Sequence, residues 1–232
     1  MENQDPSPLE TAILTYYLAP RPDHLADLFA AEVVTDRWRA QTVLTLPVFL
    51  AHLFDSAPAT ARRMVADAKG GDPVKIEVVA QALNYCHIDG RQKLMESLAG
   101  EAAAGSMDLT GADFLDFSPT HPVHVDMLWA AFFASGRTEY VGKIAGLLAG
   151  WLLQPELQAL LNVAAQDESV REKALAGVLA DAALWSLTVN ARDHDRVHDA
   201  LSAFAGRMDG LASAMAARIL AGISQTRQEP ET

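Results

Sequence analysis

HPVHVDMLWAAFFASGRTEYVGKIAGLLAGWLL, residues 121–153, decides the reading of this chain. Val125, Leu128, Trp129 and Phe132 recur at three- and four-residue spacing, the mark of a helix with one buried face. Pro122 suits a first turn, where its missing N–H would find no partner anyway. Thr120 is placed to cap, and Asp126 sets negative charge near the positive end of the helix dipole. Gly136 can adopt the left-handed conformation that ends a helix, so the chain reverses there. A second helix follows, with Tyr140, Val141, Ile144, Leu147, Leu148, Trp151 and Leu152 in one apolar stripe.

Gly142, Gly146 and Gly150 line one edge of that second helix. Helical glycine costs roughly 1 kcal/mol against alanine, so three in register predict a neighbouring backbone packed close against them. In a bilayer this spacing would read as a dimerisation motif. The uncharged run between Lys143 and Glu156 falls short of the roughly 20 apolar residues that span a membrane. A packed core is the expected setting, with no membrane span.

Working outward, other proline-opened segments repeat the plan. Pro47 to Ala68, and Pro73 to Ala99 in two parts, each read as helix, turn, helix. Leu9, Ile13, Leu14, Tyr17 and Leu18 predict an earlier helix that Pro20 and Pro22 stop. Ser56 is expected to cap the helix opened by Pro58. Leu175, Val178, Leu179, Ala182 and Leu184 are expected to face inward on a later helix ending at Asn190, with Trp185 at an edge. The final segment predicts a heptad-like seam, Val197, Leu201, Phe204, Met208, Leu211 and Met215, bent at Gly206 and Gly210. The expected organisation is a single all-helical domain over 9–224, between disordered tails at 1–8 and 225–232. Its fold class is all-α, antiparallel helical hairpins stacked as a short irregular solenoid or compact bundle.

Residues 100–119 break the rhythm, being longer than the usual helix–helix connection of about 2–8 residues. Asp108, Asp113 and Asp116 alternate there with Leu109, Phe114, Leu115 and Phe117. Docking of the apolar residues on the core is favoured over a mobile lid.

Composition narrows function. Thirty acidic against eighteen basic residues give a net charge of −12, unsuited to a nucleic-acid surface, which needs clustered cations. Cys86, the one cysteine, cannot form an internal disulfide or a thiolate-based zinc site alone. The start MENQDPSPLE carries neither a basic leader nor an apolar export core, so a cytoplasmic location is expected.

His194 and His198 in RDHDRVHDA would share a helical face, as two-histidine zinc ligands do. No glutamate takes the intervening position of the HExxH pattern, and alternating charge explains the run as a solvated face. His121 and His124 read as capping or surface residues. Neighbouring Cys86 and His87 are poorly disposed to act as a nucleophile pair. No nucleophile elbow, P-loop or dinucleotide fingerprint occurs, so no catalytic residue, metal ligand or cofactor is assigned. Trp129, Phe133 and Tyr140, with Asp126, are the candidate binding residues, Phe133 being the interface candidate because it lies off the main stripe.

The segment LWAAFFASGRTEYVGKI, residues 128–144, resembles one unit of a tetratricopeptide-type helical repeat, and a HEAT-type unit equally. The resemblance extends more weakly over 74–98, and the tetratricopeptide family's alanine after the tyrosine and closing proline are not in place. It implies a scaffold that binds peptides or proteins rather than a catalyst. The expected function is therefore a protein–protein interaction or regulatory protein without catalytic activity, acting on a protein partner or by self-association. The alternative is a small-molecule- or metal-binding helical protein, enzymes included, built around the histidines and the acidic loop.

Overall fold

The structure is a computed structural model that describes residues 6–105, 109, 111–165, 167–207 and 209–228. Every regular element among them is helical. The chain divides into two compact units, Met1–Phe114 with Ala130–Gly136, and Leu115–Trp129 with Arg137–Thr232.

The first unit contains α1 (Pro8–Thr15), a 3-10 turn (Tyr16–Leu18), α2 (Pro22–Ala31), α3 (Asp36–Thr42), α4 (Leu46–Ser56), α5 (Pro58–Ala68), α6 (Pro73–Tyr85), α7 (Arg91–Ala99) and α8 (Glu101–Gly105). Prolines open helices at Pro47, Pro58 and Pro73 as expected, and at Pro8 and Pro22 as well. Ser7 belongs to the first helix: its hydroxyl accepts from the Glu10 N–H while the Glu10 carboxylate accepts from the Ser7 N–H, a reciprocal cap. Asp72 caps α6 through the Val74 N–H. Ser56, by contrast, is the last residue of α4 and donates back to the Leu53 carbonyl rather than capping α5.

The core of this unit is α4 against α6. Val48, Phe49, Leu50, Leu53 and Phe54 of α4 and Val78, Val79, Ala82 and Leu83 of α6 are all fully buried. Each of the larger side chains removed from water contributes about 1.5–3 kcal/mol before entropy is charged against it.

The last turns of α9 (Val123–Ser135) belong to this unit and its first turns to the other. The second unit continues with α10 (Thr138–Gly146), a 3-10 turn (Leu147–Gly150), α11 (Gln154–Val163), α12 (Glu168–Asp193), α13 (Asp195–Arg207) and α14 (Leu211–Gln228), the last running past the 224 boundary. Gly136 turns the chain at φ 67°, as expected.

The stripe after Gly136 does not form one continuous helix. Its backbone tightens to 3-10 at Leu147, leaves helix at Trp151, and α11 departs at 79°. The expected close approach is real at one glycine only. A methyl on Gly150 would stand 2.6 Å from the carbonyl oxygen of Ala176 and 2.9 Å from its Cβ, whereas Gly142 and Gly146 face open space.

α12 also turns differently from expectation. Its buried face carries Ala174, Gly177, Leu179, Ala180, Ala183, Ser186, Leu187 and Ala191, so Leu179 faces inward as expected while small residues do most of the packing. Leu175, Val178, Ala182 and Leu184 are half-buried, and the helix continues through Asn190 to Asp193. The seam at the chain end breaks at Gly210, φ 92°, into the mutually packed α13 and α14. Val197, Leu201 and Met215 are buried and Leu211 is exposed, while Met208 lies outside the described residues. Gly206 stays helical within α13.

By length and composition α12 could cross a membrane, as could Thr138–Gly150 with α11 if that bent pair counted as one span. Core helices of soluble proteins pass the same test, and 44% of the apolar stretch of α12 is buried inside the protein.

Candidate functional site

The four expected binding residues lie apart. Phe133 is in the first unit, buried with its ring 6.2 Å from Tyr17 and 5.4 Å from Phe132. Asp126, Trp129 and Tyr140 belong to the second. Trp129 and Tyr140 are buried, and the Arg137 guanidinium lies 5.6 Å from the Tyr140 ring centre. Asp126 alone reaches solvent, although the packing around it raises its carboxyl above the ordinary aspartate range. Burial accounts for the three rings as packing groups.

The histidines are also separated. His194 sits in the extended link between α12 and α13 at φ −131°, ψ 110°, so it does not share a helical face with His198. Burial lowers its pKa. Among the described residues no group of three or more His, Cys, Asp or Glu gathers as metal ligands would. His121 and His124 do serve the start of α9, in place of Thr120. The Val123 N–H donates to Nδ1 of His121 at 3.2 Å, and the Thr120 N–H to Nδ1 of His124 at 3.0 Å. Both imidazoles thus act as acceptors, the role that a serine or carboxylate takes at other helix starts.

Cys86 and His87 point to different partners. The buried thiol donates to the Leu83 carbonyl at 3.5 Å, and burial raises its pKa. His87 is turned towards Asp55, whose carboxylate accepts the His87 backbone N–H at 2.6 Å and lies 3.2 Å from Nδ1. Around this pair the described part of the 100–119 connection is docked. The Arg91 guanidinium donates to the carbonyls of Cys86 and Leu109, and the Ala112 N–H donates to the Tyr85 carbonyl at 2.9 Å. The buried Phe114 ring stands edge-on to Tyr85 at 5.5 Å. Gly111 is forced by two constraints: φ is 79°, and a Cβ would meet His87 Nε2 at 2.6 Å. Beyond it, Lys143 donates to the Leu115 carbonyl and the Phe117 ring packs on His124 at 4.6 Å. Asp108 lies outside the described residues. This connection is a docked staple at both ends of its described length.

Among the clefts of the described residues, the candidate site is a groove of the first unit that sequence periodicity missed. Pro20 and Pro22 end one helix and begin another within three residues, and Arg21, preceding a proline, is kept out of the helical region at φ −132°, ψ 77°. Between the two short helices lies an open groove of about 740 Å³ with Ala12, Tyr16, Leu25 and Leu28 in its wall and Leu18, Arg21 and His24 at its edge. Tyr16 is held from behind by the Phe49 ring, edge-on at 5.3 Å. Leu18, expected to face inward, is 66% exposed. The 3-10 turn at Tyr16–Leu18 shifts it off the helical spacing. The signal available in the sequence was the Pro-Arg-Pro punctuation, which brings one exposed cation, Arg21, beside an apolar surface in a chain of net charge −12.

Compared with known proteins, the chain matches no family, no curated sequence and no solved structure.

Proposed function

We propose that this is a helical protein–protein interaction protein without catalytic activity, cytoplasmic, whose α1–α2 groove receives a short amphipathic segment of a partner protein. The observation that carries the reading is the groove itself: an apolar wall, an exposed Leu18 and a cation, Arg21, at its edge. An amphipathic helix laid in such a groove buries its apolar face on Leu28 and Leu18, and an acidic residue on its flank meets Arg21. A mostly apolar concave surface with a few polar groups at its edge is the usual form of a binding site. Nucleic acid is disfavoured as a partner by the charge of −12. The packing consistent with this role is a set of antiparallel hairpins, supported by the packing of consecutive helices in both units, as in α6 with α7 and α13 with α14.

The test is selection of binding peptides from a displayed library of amphipathic sequences, followed by calorimetric titration. Peptides with acidic flanks and micromolar affinity, weakened at least tenfold by both Leu18→Glu and Arg21→Glu, are expected. Both side chains are exposed, so the variants retain the fold. Peptides whose affinity ignores both substitutions would remove the groove from consideration.

A further inference from the structure

A second open groove, of about 400 Å³, lies within the second unit between α12 and α14. Met215, Ile219 and Ile223, all buried and four residues apart on α14, form its floor. Leu184, Thr188 and Arg192 line it from α12, also four residues apart, over about 12 Å of helix. Trp151, where the backbone leaves the 3-10 turn, adds a half-buried indole to the wall. Gly222 lines the groove too, and a Cβ there would meet no other atom within 4 Å.

In a chain of net charge −12, the charged side chains lining this groove are two exposed arginines, Arg192 and Arg218, and no carboxylate. Arg192 donates to Asp193, which lies off the groove, through Nε at 2.8 Å. Arg218 forms no ion pair among the described residues. Two threonines line the groove, and each hydroxyl donates back into its own helix. Thr188 donates to the Leu184 carbonyl at 2.7 Å and Thr226 to the Gly222 carbonyl at 3.1 Å. The walls from α12 and α14 are helical, so they lack the free backbone edge that an extended peptide pairs with. We infer that this groove binds a medium-chain fatty acid, its hydrocarbon tail on Met215, Ile219 and Ile223 and its carboxylate on Arg218. Charge and polarity select that ligand: an apolar body that asks for no hydrogen bond along its length, and one anionic end. Size agrees, since about 400 Å³ is little over half the α1–α2 groove and falls within the range of about 300–1,000 Å³ usual for small molecules.

Calorimetric titration of the full chain with decanoate, kept below its micelle-forming concentration, tests the assignment. One decanoate per chain is expected, with amide shifts of isotope-labelled protein at Thr188, Arg218 and Gly222. Octanoate should bind about 15-fold more weakly, at about fourfold for each buried methylene. Arg218→Glu should weaken decanoate about three- to tenfold and leave decanol unaffected, a separation that a merely structural role would not give. Gly222→Leu, at an exposed helical position with open space around it, keeps the fold and should weaken both ligands at least tenfold. The absence of saturable decanoate binding overturns the inference, as does an affinity indifferent to chain length, to Arg218→Glu or to Gly222→Leu. Shifts at the α1–α2 groove instead, or binding to phosphatidylglycerol vesicles without binding of decanoate, overturn it equally.

Discussion

Three glycines four residues apart on one stripe offer a test in which the structure predicts opposite signs for the same substitution. Gly150→Ala puts a methyl 2.6 Å from the Ala176 carbonyl oxygen, 2.9 Å from its carbonyl carbon and 2.9 Å from its Cβ. Two of these three atoms are helix backbone, which cannot rotate aside, so α12 itself must move away from the Leu147–Gly150 turn. Overpacking of this kind costs about 1–3 kcal/mol. Gly142→Ala and Gly146→Ala place their methyls in open space, with no neighbouring element within 4 Å. They should gain up to about 1 kcal/mol of helix propensity. Gly177→Ala falls between, because the atoms it meets, Leu157 Cδ1 at 2.8 Å and Leu152 Cδ1 at 3.1 Å, are ends of side chains that can turn. Thermal unfolding followed by far-ultraviolet circular dichroism reads all four, at about 2–4 °C per kcal/mol for a domain of this size. Gly150→Ala should melt lower, Gly142→Ala and Gly146→Ala at or above the wild type, and Gly177→Ala less displaced than Gly150→Ala. If Gly150→Ala stabilises, or the three glycines of the stripe respond alike, the close approach of α12 at Gly150 is refuted.

Further consequences follow from the staple and the caps. Gly111→Ala adds a methyl against His87 and strains a positive φ, so the Ala112 amide, which donates to Tyr85, should lose hydrogen-exchange protection while amides of α4 keep theirs. Phe114→Ala should cost about 3–5 kcal/mol in a urea titration if the connection stays docked around the cavity; an effect near zero would show that Phe114 holds nothing. Stability should also fall in mild acid. Burial first, and the neighbouring His121 second, lower the pKa of His124 in the folded state. The fold therefore binds fewer protons there than the unfolded chain, and its contribution, full above the ordinary histidine value of about 6.5, is lost as pH falls through and below it. His194, lowered by burial, acts with the same sign. Urea midpoints between about pH 7 and pH 5 should decline, with a smaller slope in His124→Asn, and an unchanged slope would contradict the cap.

The sequence carried the helical class because its signals were local. Proline at first turns, Asp72 and Asp167 at caps and Gly136 at a reversal each act on their own few residues. It misled where partners are distant. On α12 the larger side chains were the natural choice for the core, yet Gly150 admits the Ala176 backbone so closely that the small face packs and Leu175, Val178 and Leu184 stay half-buried. The three-glycine groove looked uniform, since nothing in the spacing says which glycine another helix crosses. His194 and His198 were spaced for one face of a helix, but His194 falls in the break ahead of α13. Of the candidate site, Trp129 and Tyr140 were found by periodicity, which detects buried aromatics as readily as binding ones, and Phe133, off the stripe, is buried as well. The α1–α2 groove arises instead from where two prolines stop the pattern.

The claim that most of this reading depends on is that the groove between α1 and α2 accepts a partner segment. The direct measurement is a titration of isotope-labelled protein with a selected acidic amphipathic peptide, following backbone amide shifts. The expected result is shifts confined to residues lining the groove, among them Ala12, Tyr16, Leu18, Arg21 and Leu28, saturating at one peptide per chain. Saturating shifts elsewhere, with these amides unmoved, would contradict it.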